Sequence, residues 1–350
     1  MMFCMSLAMA CNDISGEEYK NRYPLTAFAV KVGDSWYHAS IDQNAMIVSI
    51  GVLTDGNSIN DVRYTLAKGA SISPDPMTFI DNWQQEQAVE VTCSGGESVV
   101  YTVKFTEWQE SDRNVIFMDD FDVEGIPDPA KWELCPKGSS DWNDEMSESY
   151  DQAYVEDGRL VLVAEKTDGI YRAGGIKTQG KFGFTFGKVE CRARITRCPD
   201  GAFPAIWMMP QKSRYQGWPA CGEIDIMEHI KQEPHIHQTI HTNYTYTLGN
   251  KAGTTMQTVC DYGDWNVYAV EWTNDSLTFY VNDVETFTYR DMNLSDESEK
   301  KQWPFTDAAE FYIILNMGLG DDGTWAGAVD DAGLPAMMEV DWVRVSVHDE

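Results

Sequence analysis

Residues Cys221 to Ile230 read CGEIDIMEHI, and this run bears on both fold and chemistry. It sets three carboxylates, Glu223, Asp225 and Glu228, within six residues, with Ile and Met filling the gaps. Side chains alternate along a strand, so Glu223 and Asp225 share a face. Glu228 is five positions from Glu223 and would fall on the opposite face of an ideal strand. One extra residue, a β-bulge near Ile226-Met227, returns it to the side of the other two. The run then spans roughly 13 Å of backbone. Long Glu side chains leaning inward bring their carboxyl groups to about 5–6 Å, the separation a double-displacement glycosidase uses. Three carboxyls that close cannot all ionise near neutral pH. One stays protonated and can donate to a leaving oxygen, another stays anionic and can attack an anomeric carbon. Asp225, between them, can orient Glu223. Two other readings stay open. A calcium site uses several carboxylates but prefers a flexible loop rich in Gly and Asn. A strand with a merely wet acidic face is the plainer account.

The flanks bear on the choice. Upstream, GAFPAIWMMPQKSRYQGWP carries Trp207 and Trp218. Sugars present C–H faces that stack on such rings, although either ring can equally belong to a core. Trp218 sits in a Gly-Trp-Pro loop, which favours exposure. Downstream, in EPHIHQTIHTNYTY, His235, His237, Thr239 and His241 alternate with Ile236, Gln238 and Ile240. Three histidines therefore face one side of the next strand. Zinc would need an open position and supporting partners, and nothing else in the sequence supplies them. If this strand pairs with the acidic one, His241 lies beside a carboxylate and a sugar hydroxyl. The plain alternative is a surface histidine.

The chain has 350 residues, 43% hydrophobic and 12% aromatic, enough for two domains or one large one with a sizeable core. Its formal net charge of −30 argues against nucleic acid, anionic membrane surfaces and sulfated polymers as partners. The N-terminus, MMFCMSLAMACNDISGEEY, resembles the end of a bacterial lipoprotein signal, with Cys11 as the residue to be lipidated. That predicts a signal remnant over 1–11 and a polar spacer over 12–22. The protein is then expected to be secreted, or a cell-surface or periplasmic lipoprotein, with membrane contact only through Cys11. The remaining cysteines, Cys93, Cys135, Cys191, Cys198, Cys221 and Cys260, show no metal-site spacing and do not decide between thiols and disulfides. Residues 23–106 read as short strands between turns (AFAVKV, AMIVSIGV, DVRYTLA, AVEVTC, VVYTVKF), which suggests a small immunoglobulin-like β-sandwich. EWQESDRN, residues 107–114, reads as a linker. Residues 115–350 are again strand-dominated. KVECRARI alternates strictly, with Lys188, Glu190, Arg192 and Arg194 on one side, and Asn282-Asp283 marks a hairpin. A large two-sheet, all-β sandwich is predicted.

These residues together resemble glycoside hydrolase family 16. The run E-I-D-I-M-E after W-P-x-C-G resembles its active-site signature in the bulged form of the laminarinase-like branches. GGIKTQGKFGFTFGKVECRARI, GAFPAIWMMP, FMDDFDVEGIPDPAKW, WNVYAVEWTNDSLTFYVND and MEVDWVRV resemble other family segments, across nearly all of Val115 to Val347. The resemblance implies a concanavalin-like β-jelly-roll with a long substrate cleft on its concave sheet. It implies Glu223 as nucleophile, Glu228 as general acid/base and Asp225 as the assisting carboxylate. It places Trp142 and Asn143 (in SSDWNDEMSESY), Trp207, Trp218 and His241 in the substrate cleft. It implies no cofactor for catalysis, but a structural calcium ion on the far side, held by Asp120, the backbone of Gly158, and Asp341. A monomer acting on a polysaccharide or glycan is expected.

Which polymer is cut is the harder reading. S-D-W-N-x-x-M-S from Ser140, H-Q-T-I-H-T-N-Y-T-Y from His237 and the D-S-L-T-F-Y-V-N-D hairpin are similar to endo-β-galactosidases that cut lactosamine-type chains of mucin and keratan. The laminarinase branch instead implies an endo-β-1,3-glucanase or a mixed-linkage glucanase. GLGDDGTWAG, from Gly318, departs from both branches in length and in its extra Asp321 and Asp322. A transglycosylase and a non-catalytic glycan-binding protein are further alternatives.

Overall fold

In the computed structural model, the described residues are 24–32, 35–42, 45–52, 59–67, 69–79, 86–107, 115–231, 233–250, 253–294 and 300–347. The signal remnant with Cys11, the spacer and residues 108–114 of the linker lie outside them. Among the described residues, β-strands dominate.

Residues 24–107 form two small sheets. One runs Ser35–His38, Leu25–Val32, Ile59–Leu66; the other runs Ser40–Asp42, Ile47–Val52, Ser98–Glu107, Gln87–Thr92, Ser71–Ser73. Apolar residues of both, among them Phe28, Val30, Ile50, Val89, Tyr101 and Val103, pack into one core.

From Val115 onward the chain builds a larger sandwich. The sheet that carries the acidic run is ordered Glu133–Leu134, Gly175–Lys177, Glu310–Leu319, Ala202–Lys212, Glu223–Glu228, His235–His241, Thr255–Val259. The opposite sheet is ordered Ala153–Glu156, Arg159–Thr167, Ala336–Ser346, Gly187–Arg197, Asn266–Trp272, Ser276–Val281, Val284–Arg290. Val115–Asp119 and Ile170–Ala173 add to its flanks. Between the sheets lies one apolar core, to which Ile224, Ile226 and Met227 contribute from the acidic strand and Val189, Tyr268 and Phe279 from the opposite sheet. The hairpin at Asn282-Asp283 forms as expected, with both residues at positive φ and Val281 paired to Val284. The six cysteines within the described residues are free and buried.

The alternation in KVECRARI is present, but the charged side is not solvent. Glu190 and Arg192 are each only 5% exposed. The first domain lies against this sheet: Arg192 donates to Thr65 Oγ1, and the Ile41 N–H donates to Asp283 Oδ2 at 3.0 Å.

Candidate active site

The acidic run forms the strand Glu223–Glu228 between Ala202–Lys212 and His235–His241. Its register carries the expected irregularity. Against one neighbour, Asp225 faces Thr239 and Glu228 faces His237; against the other, Trp207 faces Asp225 and Ile206 faces Met227. Ile226 is the extra residue. Ile226 and Met227 are both fully buried, so two consecutive side chains serve the core and Glu228 returns to the face of Glu223 and Asp225. Gly222 fixes the entry to the strand. Its φ is +91°, and a Cβ there would lie 2.8 Å from Pro304 Cγ and 2.9 Å from Phe305 Cε1.

The electrostatics of the three carboxylates are unusual. Asp225 is 2% exposed. Burial raises its pKa well above the ordinary value, and the charges of Glu228 and Glu223 add to the effect. Burial, then the charges of Glu223 and Asp141, push Glu228 up to about 8. Burial also pushes Glu223 up to about 7, with Asp141 adding to the rise, but here one contact opposes it. The Trp218 Nε1–H donates to Glu223 Oε2 at 2.9 Å, and a group that can only donate favours the anion. His241 stands opposite Glu223 in the register, its Nε2 3.3 Å from Asp225 Oδ2 and 3.7 Å from Glu223 Oε1. Burial and mutual charge thus raise all three carboxyls, and the Trp218 contact favours the charge on Glu223.

The aromatic residues fall into two groups. Trp218 is 47% exposed and packs edge-on to Tyr246 with ring centroids 4.5 Å apart. Tyr246 belongs to the turn Asn243–Thr247, which Thr242 caps by accepting from the Thr245 N–H at 3.2 Å. Sequence reasoning did not single out Tyr246. Trp207 lies deeper than Trp218. It shares the face of Asp225 but is 6% exposed, lies edge-on to Trp142 at 4.9 Å, and donates through Nε1 to Asn316 Oδ1 at 2.7 Å. It is floor beneath Trp142, which is half-buried. Asn143 is likewise committed locally: its Oδ1 accepts from the Ser140 N–H at 3.2 Å and its Nδ2 donates to the Pro136 carbonyl at 3.3 Å. It shapes the loop that carries Trp142. That loop reaches the strand Glu310–Leu319 at Gly318, where a Cβ would come within 3.1 Å of the Trp142 carbonyl. The same loop brings the charge of Asp141 to bear on Glu223 and Glu228. It also brings Asp144, whose pKa is raised by burial and then by Glu145, Asp321 and Asp141. One rim of the site is therefore acidic.

The calcium set does not fit. The Asp341 carboxylate accepts from Arg192 Nη1, so a buried guanidinium already supplies the positive charge at that place. Asp120 instead acts on Asp122, whose pKa is raised by burial and then by Asp120, with Arg63 and Lys31 of the first domain opposing the rise. Gly158 sits at the turn between paired strands, at φ +69°. One carboxylate already paired with Arg192 falls short of the six to eight oxygens calcium takes.

Comparison with known proteins is consistent with this geometry. The model of glycosyl hydrolases family 16 matches residues 140–344. The chain belongs to this family. A domain of unknown function, DUF4971, matches residues 2–121. A keratan-sulfate endo-1,4-beta-galactosidase of Sphingobacterium multivorum is 39% identical over 67% of this chain and 55% of its own length. A beta-glucanase of Rhodothermus marinus is 35% identical over 66% of this chain and 84% of its own. This family-16 chain thus spans about half the length of the first relative and most of the second. Among solved structures, one from work on endo-acting O-glycanases that initiate mucin breakdown by human gut microbiota is 39% identical. It covers 67% of this chain and 100% of its own, with a TM-score of 0.62. The laminarinase of Rhodothermus marinus is 34% identical, covering 68% and 98%, with a TM-score of 0.60. The sandwich of residues 115–347 is thereby the family's jelly-roll.

Proposed function

We propose that this family-16 protein is a retaining endo-β-glycosidase that cuts internal β-linkages of a neutral glycan by double displacement. The observation that carries this reading is the bulged strand, which brings Glu223, Asp225 and Glu228 to one face. Glu228, with the raised pKa, gives its proton to the glycosidic oxygen while Glu223 attacks the anomeric carbon. The leaving sugar departs and a glycosyl–Glu223 ester remains. Glu228, now a carboxylate, takes a proton from water as that water attacks the same carbon, releasing Glu223 and restoring the original anomeric configuration. Trp218 holds charge on Glu223 between turnovers, and Asp225 with His241 orients it. Trp218, Tyr246 and Trp142 give the sugar rings apolar surfaces.

The favoured substrate is a lactosamine-type chain of mucin O-glycans or keratan, cut as an endo-β-1,4-galactosidase. The 39% identity to the keratan-sulfate endo-1,4-beta-galactosidase supports the sugar and linkage of this reading. The second reading is an endo-β-1,3-glucanase or mixed-linkage glucanase, which the 35% identical beta-glucanase supports. Product analysis on laminarin, mixed-linkage glucan, keratan, desulfated keratan and mucin O-glycans separates them, with Glu223→Gln as control. Oligosaccharides from mucin or keratan alone are expected. The acidic rim of Asp141, Asp144 and Asp321 repels sulfate, so desulfated keratan should be cut faster than the sulfated form. Laminarin oligosaccharides alone would replace the galactosidase reading and keep the catalytic roles. As part of the same proposal the protein is a lipid-anchored monomer. Labelling with a fatty acid that a Cys11→Ser variant fails to take up, and sedimentation of the solubilised chain, test the two points.

A further inference from the structure

Among the described residues, one cluster of potential metal-ligating side chains lies outside the catalytic trio. Glu233 precedes the strand His235–His241, and His235 and His237 stand two apart on one face of it. The Nε2 atoms of both histidines converge on the same carboxylate oxygen, Glu233 Oε2, at 3.2 Å and 2.7 Å. The three ligand atoms lie within 4.8 Å of one another. The His237 side chain is 10% exposed, and the Trp325 ring walls it edge-on at 4.9 Å. His235 Nε2 is buried, with no well-directed hydrogen bond despite its nearness to Glu233. The backbone beneath is fixed, because the fully buried His229 reaches the His235 carbonyl through Nδ1 at 3.0 Å.

We propose that Glu233, His235 and His237 form a binding site for a divalent transition-metal ion of the zinc class, one strand across from Glu228.

Two imidazole nitrogens and one carboxylate oxygen are a donor set that suits zinc, with a fourth position left for water. Ligand atoms around a tetrahedral zinc lie roughly 3.3 Å apart, given zinc–ligand bonds near 2.0–2.1 Å. The separation of 3.2 Å already fits, and that of 2.7 Å needs only a small opening about the Glu233 side chain. Magnesium and calcium prefer oxygen donors and do not fit a two-histidine set. The net charge of −30 concentrates cations at the surface. His237 pairs with Glu228 in the register, which places the site on the catalytic face of the sheet. Sequence alone gave this site no support because the histidine spacing shows neither Glu233 folding back nor the convergence on one oxygen.

A second cluster, Glu223, Asp225 and His241, also brings its ligand atoms within 4.8 Å. It belongs to the catalytic apparatus, and the experiment must separate the two. The full chain, stripped with a chelator and dialysed, is titrated with Zn2+ against a chromophoric competitor, and with Co2+ to read the visible bands of a tetrahedral site. One ion per chain is expected, bound in the micromolar range or tighter. His235→Gln, Glu233→Gln and His237→Gln each remove one ligand and should weaken binding at least about tenfold. Circular dichroism selects those variants that keep the native fold. Glu223→Gln should leave the affinity as it was. Absence of zinc binding by the folded wild-type chain up to about 100 µM would overturn the proposal. So would an ion that Glu223→Gln releases and His235→Gln retains.

Discussion

Both sheets of the large sandwich bury charge, and they do so in opposite ways. On the opposite sheet, Glu190 accepts from Arg344 Nη2 at 2.5 Å and Nε at 2.9 Å, and Lys188 lies 3.0 Å away. Burial would raise its pKa, but Arg344 and Lys188 overcome burial and hold it down at about 2. Arg192 pairs with Asp341, and Arg194 with Glu339 at 2.5 Å. On the site sheet, the charges that reach Glu223, Asp225 and Glu228 are other carboxylates, with His241 alongside. All three pKa values rise. Burial is common to both sheets, so the sign of the neighbours separates a structural charge from a chemical one.

The contrast can be broken by substitutions on either sheet. Glu223→Gln should abolish turnover while substrate still binds, read as product release against binding calorimetry. Near wild-type activity would remove Glu223 from the mechanism. Glu228→Gln should slow cleavage of the natural glycan by roughly 10²–10⁴-fold. It should spare the first step on an aryl glycoside with a good leaving group, and equal losses on both would contradict the proton-donor role. Arg344→Met should do the reverse. Leaving Glu190 buried and short of a partner should cost about 3–5 kcal/mol in urea unfolding, with kcat of the folded enzyme unchanged. A fall in kcat without a loss of stability would erase the distinction between the sheets.

The pH dependence of stability should divide along the same line. Glu190 has a lowered pKa, so its contribution is present above its ordinary value of 4.5 and is lost as pH falls toward about 2. Glu228 has a raised pKa, so its contribution is full below 4.5 and is lost as pH rises to about 8. Glu228→Gln should therefore raise Tm above wild type by several degrees at pH 9 and by little at pH 4, read by calorimetry. An equal shift at both pH values would show that Glu228 titrates normally. The smallest effect is expected at Trp218→Phe, which keeps the ring and removes the N–H. The acid limb of kcat/KM should move up by about half a unit to one unit. An unmoved limb would separate Trp218 from the ionisation of Glu223.

Much of this site was legible because its signals are local. E-I-D-I-M-E holds its own alternation, and the misplacement of Glu228 calls for a bulge, which Ile226 supplies. His241 follows from the strand that comes next. The less legible parts depend on contacts between distant segments. Asp141 acts on Glu223 and Glu228 from a loop some eighty residues upstream, and no pattern in CGEIDIMEHI points to it. Trp207 lies beneath Trp142 and meets Asn316, whose one polar side chain within the apolar run FYIILNM was the available signal. The charged side of KVECRARI carried the correct alternation but not its covering, because the first domain supplies Thr65 from another part of the chain. The calcium expectation failed for the same reason, since Arg192 and Asp341 are far apart in sequence and paired in space.

The measurement that tests the central claim most directly is a trapping experiment. The protein is incubated with a dinitrophenyl 2-deoxy-2-fluoro-β-glycoside of the oligosaccharide that the wild type releases. It is then digested, and its peptides are mapped by mass spectrometry. The account predicts one covalent sugar per chain, on the peptide containing CGEIDIMEHI and at the Glu223 carboxylate. A sugar on Glu228 or Asp225, or no adduct from an enzyme that turns over the parent aryl glycoside, would contradict it.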